Sequence, residues 1–191
     1  MTARTLVLAS ASPRRLALLA QIGIVPDQVI STDTDESALP GELPRQHAQR
    51  LARAKAAAAG PAGGYVLAAD TVVAVGRRIL PKADTEADAR RCLALLSGRR
   101  HRVMTAVVLL APGGRHGERL VQSVVGFARL TERQVAAYLA SQEWRGKAGG
   151  YAIQGRAATF IRFVSGSYSN VVGLPLFETA QLLRGLGWPL A

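Results

Sequence analysis

The residues of this chain best suited to chemistry fall in two short segments. The first is Ser10-Ala11-Ser12-Pro13-Arg14-Arg15, which follows an apolar run. It reads as a strand end, a loop of small residues and a helix opening on proline. A helix N-terminus presents free N–H groups and a positive partial charge, both suited to phosphate. Arg14 and Arg15 oppose that dipole unless an anion is present, and arginine grips phosphate oxygens with paired donors. Two solvated arginines opening an amphipathic helix explain the segment about equally well. The second segment is Ala68-Ala69-Asp70-Thr71, a carboxylate at the junction of two apolar β-rich runs. Burying it is costly without a partner; taken alone, an aspartate in a turn is the plainer account.

Other residues can join these two. Glu36 lies in a polar loop, residues 33–44, that contains two prolines. Two carboxylates completed by substrate phosphates and water form a usual magnesium site. Three lysines occur, Lys55, Lys82 and Lys147, in a chain that otherwise uses arginine. A compact ammonium on a flexible stem suits a phosphate tail. Lys147, between Gly146 and Gly149, reads as an ordinary loop lysine. Cys92, beside Leu93 and Leu96, reads as a small core residue. The sequence contains no phosphate-binding Walker loop, no dinucleotide glycine fingerprint and no His-Glu-x-x-His.

These residues need a scaffold. Short strands are expected over residues 4–9 and 28–32, with a helix between them from Pro13 to before Gly23. Residues 45–59 read as a helix. Residues 65–69 and 72–75 read as β runs flanking Asp70-Thr71, with a hairpin turn at Gly76-Arg77. Thr85 with Asp88, and Thr131 with Gln134, are capping-box patterns that open helices. Residues 102–110 and 120–130 are long β candidates around a turn at Gly113-Gly114, and residues 158–164 are another. Pro175 is placed as the first residue of a last helix. Alternating elements followed by adjacent long strands predict an α/β fold with a mixed sheet. With no repeat and no clear linker, residues 1–191 are expected to form one domain.

The bulk properties narrow the classes. The hydrophobic fraction of 49% and charged fraction of 19% are those of a folded protein. One cysteine rules out an internal disulfide, and no apolar stretch reaches membrane-span length. A cytoplasmic location without membrane association is therefore expected. The net charge of +11 suits an anionic partner. The arginines are scattered and not interleaved with aromatics, so no stable nucleic-acid partner is expected.

Eight motifs in order and spacing resemble the Maf family. They are Ser10-Ala11-Ser12-Pro13-Arg14-Arg15, Lys55, Ala69-Asp70-Thr71, Lys82, Ser97-Gly98 with His101-x-Val103-x-Thr105, Tyr151-Ala152-Ile153-Gln154-Gly155 and Gly173-Leu174-Pro175-Leu176, across residues 4–186. The resemblance implies an elongated mixed sheet flanked by helices, two lobes and a central cleft, similar to inosine triphosphate pyrophosphatases. It implies hydrolysis of a nucleoside triphosphate to the monophosphate and pyrophosphate, with a divalent metal, magnesium before manganese. Asp70 matches the catalytic position. Ser10, Arg14, Arg15, Lys55 and Lys82 match phosphate-facing positions, and Glu36 with Asp70 matches the metal-binding carboxylates. Arg14, Thr71 and Gln154 match positions tied to specificity. Asp70-Thr71, Tyr151-x-x-Gln154-Gly155 and residues 166–172 are similar to the subgroup acting on dTTP and UTP. The alternatives are the 7-methyl-GTP subgroup and a non-catalytic regulator of septum formation. A homodimer is a family-level expectation. One departure is Ala83, where the family usually has proline after the lysine; a looser loop is expected there.

Overall fold

A computed structural model of the chain describes residues 4–60 and 63–190. Its centre is a seven-stranded mixed sheet in the order β2-β1-β3-β5-β6-β7, with β4 paired to β3. The strands are β1 (Leu6–Ala9), β2 (Gln28–Val29), β3 (Tyr65–Val75), β4 (Arg78–Leu80), β5 (Arg100–Leu110), β6 (His116–Phe127) and β7 (Ile161–Ser165). β1 runs parallel to β2 and β3. All other pairings are antiparallel. The α/β class and mixed sheet expected from the sequence are what forms. No helix among the described residues is long and apolar enough to cross a membrane.

β3 organises the molecule. One of its edges is covered by β1 along Tyr65, Val66, Leu67 and Ala68, and by β4 along Val73, Ala74 and Val75. Among the described residues Ala69, Asp70, Thr71 and Val72 have no strand partner on that edge, while β5 pairs them on the other. A gap therefore opens midway along the sheet. Because successive side chains alternate between faces, Asp70 and Thr71 leave the strand on opposite sides of this gap.

Two faces of the sheet are covered differently. The helix α2 (Pro44–Ala58) lies over Val7, Ala9, Val66, Ala68, Val72, Ala106 and Val108. Its contact residues Ala48, Ala52 and Ala56 recur every four residues on one helix face. Their small side chains let the helix approach the sheet closely. On the other face, α1 (Pro13–Gln21) and α6 (Leu176–Gly185) bury Leu18, Leu19, Leu182 and Leu183 against Leu67, Val107 and Leu109. A separate core gathers Val103, Val125 and Phe127 with α3 (Glu86–Leu96), α4 (Glu132–Ala140), Trp144 and Tyr151. The cleft lies between these two cores.

Several sequence expectations are corrected here. Residues 65–69 and 72–75 are one continuous strand, so Asp70 sits in mid-strand and not in a turn. The strand expected over residues 28–32 is confined to Gln28–Val29, where β1 offers pairing partners. Residues 156–160 are a turn of 3-10 helix, and β7 begins only at Ile161. β6 starts at His116 and stops at Phe127. Pro175 precedes α6 as its cap. A helix not anticipated, α5 (Tyr168–Val172), follows β7. The capping boxes at Thr85 and Thr131 form as expected.

Candidate active site

A cleft of about 480 Å³ opens at the gap in β3. It is lined by Ser10, Arg14, Arg15, Glu36, Lys55, Asp70, Thr71, Lys82 and Gln154, all singled out in the sequence. These residues come from six separate stretches of chain.

Asp70 is 4% exposed. Its Oδ1 accepts from Lys55 Nζ at 2.6 Å, and the same ammonium donates to Glu36 Oε1 at 2.7 Å. Lys55 follows Ala52 by three residues on the sheet-facing side of α2, which brings its stem over β3. No described residue donates to Asp70 Oδ2. Lys82 pairs with the other oxygen of Glu36. Burial pushes the Glu36 carboxyl up, but the bonds from Lys55 and Lys82 outweigh it and hold the group below its ordinary value. Glu36 thus joins the site through two lysines, although it comes from an irregular loop.

The helix α1 starts with an unusual economy of capping. Ser12 occupies the cap position with an extended backbone, yet its side chain makes no capping bond. Thr85 and Thr131 do make that bond at α3 and α4. The first turn of α1 contains no acidic residue. Arg15 is buried, and its guanidinium reaches Ser10 Oγ at 2.8 Å, the Gly173 carbonyl at 2.8 Å and Thr71 Oγ1 at 3.2 Å. Among the described residues Arg14 has no such anchoring partner, and it lines the cleft. Thus the two adjacent arginines differ: one is held by the protein and one is available to a ligand.

The loops carrying Lys82 and Lys147 are joined backbone to backbone. Lys82 and Ala148 form an isolated antiparallel bridge. Ala83 N donates to the Lys147 carbonyl at 3.1 Å, and Gly146 N donates to the Ala83 carbonyl at 2.9 Å. The looser loop expected at Ala83 is therefore offset by a restraint that proline, lacking an N–H, cannot make. Gly149 allows this arrangement: its φ is +68°, and a Cβ there would come within 2.8 Å of Val73. Lys147, expected as an ordinary loop lysine, lines the cleft, as does Arg145. The sequence signal for both was the pair of basic residues flanking Gly146.

Charge is unbalanced in the cleft. Among the described residues that line it, Arg14, Arg15, Lys55, Lys82, Arg145 and Lys147 face two carboxylates, Glu36 and Asp70. Burial holds Arg14 below its ordinary value. Burial first, then Arg14, does the same to Lys147. Arg15 is lowered by burial and by Arg14, against the opposing field of Asp70 and Glu36. Cations that weaken one another at an unneutralised site are relieved by an incoming anion. His101 and Cys92 stand apart from this group. Burial drives the His101 imidazole down to about 4 and the Cys92 thiol up to about 11.

Fold and cleft together define an α/β protein built to hold a polyanion against a buried carboxylate. A profile of the Maf-like protein family matches residues 5–186, and the chain belongs to that family. It is 63% identical over 203 residues to a dTTP/UTP pyrophosphatase of Granulibacter bethesdensis, covering 98% of this chain and 95% of that protein. It is 61% identical to a dTTP/UTP pyrophosphatase of Caulobacter vibrioides, covering 96% of each. Among solved structures it is similar to a nucleoside-triphosphatase / dITP/XTP pyrophosphatase from Mycobacterium abscessus. That likeness has 21% identity and a TM-score of 0.41 over 66% of this chain and 75% of the other.

Proposed function

We propose that this chain is a nucleoside triphosphate pyrophosphatase that converts dTTP and UTP to the monophosphate and pyrophosphate. The carrying observation is the buried Asp70 carboxylate at the floor of a cleft with a surplus of cations. The names of the Granulibacter and Caulobacter relatives support the same reaction and the same bases.

In this reading Arg14, Lys82 and Lys147 take the phosphates, with Ser10 and the open end of α1 beside them. Arg15 holds the helix start in place and adds its charge. Asp70 accepts the proton of the attacking water. Breaking the bond between the α- and β-phosphates then releases pyrophosphate into the cationic end of the cleft, where its charge is offset. Glu36 and Asp70 suit a hard divalent cation such as magnesium, because both supply carboxylate oxygens and one oxygen of Asp70 accepts no protein hydrogen bond. Among the described residues no group of three or more His, Cys, Asp and Glu is arranged for a metal, so phosphate and water would complete its shell. When bound, the ion would neutralise phosphate charge and polarise the scissile bond. The proposal includes a cytoplasmic enzyme of one domain acting as a homodimer.

The grip on phosphate is testable on its own. Arg14→Ala and Lys82→Ala are each expected to lower kcat/KM about ten- to a hundredfold, the worth of one charge-assisted hydrogen bond. Steady-state pyrophosphate release with UTP measures it. Losses below about twofold in both variants would return these residues to the solvated surface.

Base selection is assigned to Gln154, which is exposed and lines the cleft. Its amide can donate to O4 and accept from N3–H of uracil or thymine. UTP and dTTP are expected to be turned over well, CTP less and 7-methyl-GTP poorly. Gln154→Glu is expected to shift preference away from UTP. A nucleotide panel at matched concentrations tests the whole proposal: faster hydrolysis of 7-methyl-GTP would overturn the choice of bases, and no hydrolysis of any triphosphate would overturn the enzyme.

A further inference from the structure

The turn after α4 presents an exposed cation, Arg145, to the cleft. Its Nε donates to Gln142 Oε1, and its guanidinium carbon lies 5.0 Å from the centre of the Trp144 ring. Trp144 is buried, and its indole N–H is fixed on the Leu139 carbonyl at 2.9 Å. The guanidinium is therefore held at Nε and against a ring face. Among the described residues, no protein acceptor meets its two terminal nitrogens. The acid of the same turn, Glu143, is engaged elsewhere. It accepts from Arg156 N at 2.7 Å and pairs with the Arg156 side chain at 3.5 Å.

Gln142 has a φ of +58°, the one positive φ outside glycine among the described residues. It follows the Ser141 cap of α4, a place usually filled by glycine because a Cβ is disfavoured there. Both ends of its side chain are used: Nε2 donates to the Leu139 carbonyl at 3.1 Å, and Oε1 receives Arg145. Glycine would end the helix as well, but only a side chain of this kind can clamp the arginine.

A series of contacts leads from Asp70 to this turn. Lys55 joins Asp70 to Glu36, Glu36 pairs with Lys82, and Lys82 bridges Ala148. Gly146 N donates to the Ala83 carbonyl, and Lys147 Nζ donates to the Arg145 carbonyl at 2.9 Å. Arg145 thus belongs to the pair of loops that carries Lys82 and Lys147, several contacts removed from Asp70.

We infer that Arg145 is a further substrate-binding residue, which grips the departing pyrophosphate, and that Gln142 is its positioning residue. This rests on the proposed pyrophosphatase function, in which Asp70 activates the water and the β- and γ-phosphates leave together. The two terminal nitrogens match paired phosphate oxygens, and a fork already held in place loses little freedom on binding them.

The test uses Arg145→Met, Arg145→Lys and Gln142→Gly in the full-length protein. Calorimetric binding of inorganic pyrophosphate and of UMP, each with magnesium, is measured beside kcat and KM for UTP. Arg145→Met is expected to weaken pyrophosphate binding about five- to tenfold, the worth of an exposed charge-assisted contact, and UMP binding less than about twofold. KM for UTP should rise by a factor similar to the loss of pyrophosphate affinity. Arg145→Lys keeps the charge without the fork and should return pyrophosphate affinity only to within about threefold of wild type. In Gln142→Gly the positive φ is easily adopted, so Tm should hold within about 2 °C. Its pyrophosphate affinity should still fall about threefold, because the arginine is no longer held ready. Unchanged pyrophosphate affinity in Arg145→Met, or an equal loss of UMP affinity, would overturn the inference, as would a wild-type protein that binds no pyrophosphate. Gln142→Gly with wild-type affinity would overturn the role of Gln142. If the wild-type protein binds pyrophosphate but hydrolyses no nucleoside triphosphate, the proposed function fails and the binding arm still decides Arg145.

Discussion

Asp70→Asn is expected to fold normally and to lose about a hundredfold to ten-thousandfold in turnover, the range associated with a positioned general base. The substitution keeps the size and planarity of the side chain. It removes the charge and the basic oxygen that faces no protein donor. Stability should suffer little, because Lys55 keeps Glu36 at 2.7 Å as a partner, and an amide oxygen can still accept from the ammonium. The fold is checked by circular dichroism and thermal melting, and turnover by pyrophosphate release from UTP. A well-folded Asp70→Asn protein with near-normal turnover would remove Asp70 from the chemistry.

Lys55→Met is the converse case, and its effect is on stability as well as rate. Lys55 is 6% exposed and holds two carboxylates at once. Replacing it with an apolar side chain of similar length leaves Asp70 buried without its cation, and Asp70 and Glu36 repel. Breaking a buried pair from one side costs about 3–5 kcal/mol. For a chain of this size that corresponds to a drop in Tm of roughly 6–20 °C. Turnover should fall more than about a hundredfold, since both carboxylates lose their placement. Adding Asp70→Asn to Lys55→Met removes the stranded charge and should recover much of the lost Tm while activity stays absent. A Lys55→Met protein that melts within about 2 °C of wild type would show that the contact contributes little to stability.

These two expectations depend on a contact that local sequence signals do not indicate. Aspartate is disfavoured in strands, so the run from Tyr65 to Val75 reads as two pieces broken at Asp70. What permits a continuous strand is Lys55, fifteen residues earlier, delivered by a helix whose alanines allow close approach. Local propensity carries no information about such a partner. The same holds for Glu36, whose loop has no sharp motif, and for Arg145 and Lys147, which reach the cleft because the Lys82 loop pairs with theirs.

The sequence by itself determined whatever depends on neighbours within a few residues. Thr85 with Asp88 and Thr131 with Gln134 cap α3 and α4, because a cap is a bond between residues three apart. Pro13 opens α1, Gly76 turns β3 into β4, and the alternation of elements announces a mixed α/β sheet. The order of the motifs also marked Asp70, Lys55, Lys82 and Arg14 as residues of one site. Only the tertiary structure decided the different work of Arg14 and Arg15, adjacent in sequence and alike in type. Arg15 meets Ser10, Thr71 and Gly173, two of which lie 56 and 158 residues away, and it is fixed by them. Arg14, about 100° further round the same helix turn, meets the open cleft. A side chain's role there is set by which way the helix faces when it packs on the sheet, and that orientation is a property of the assembled core.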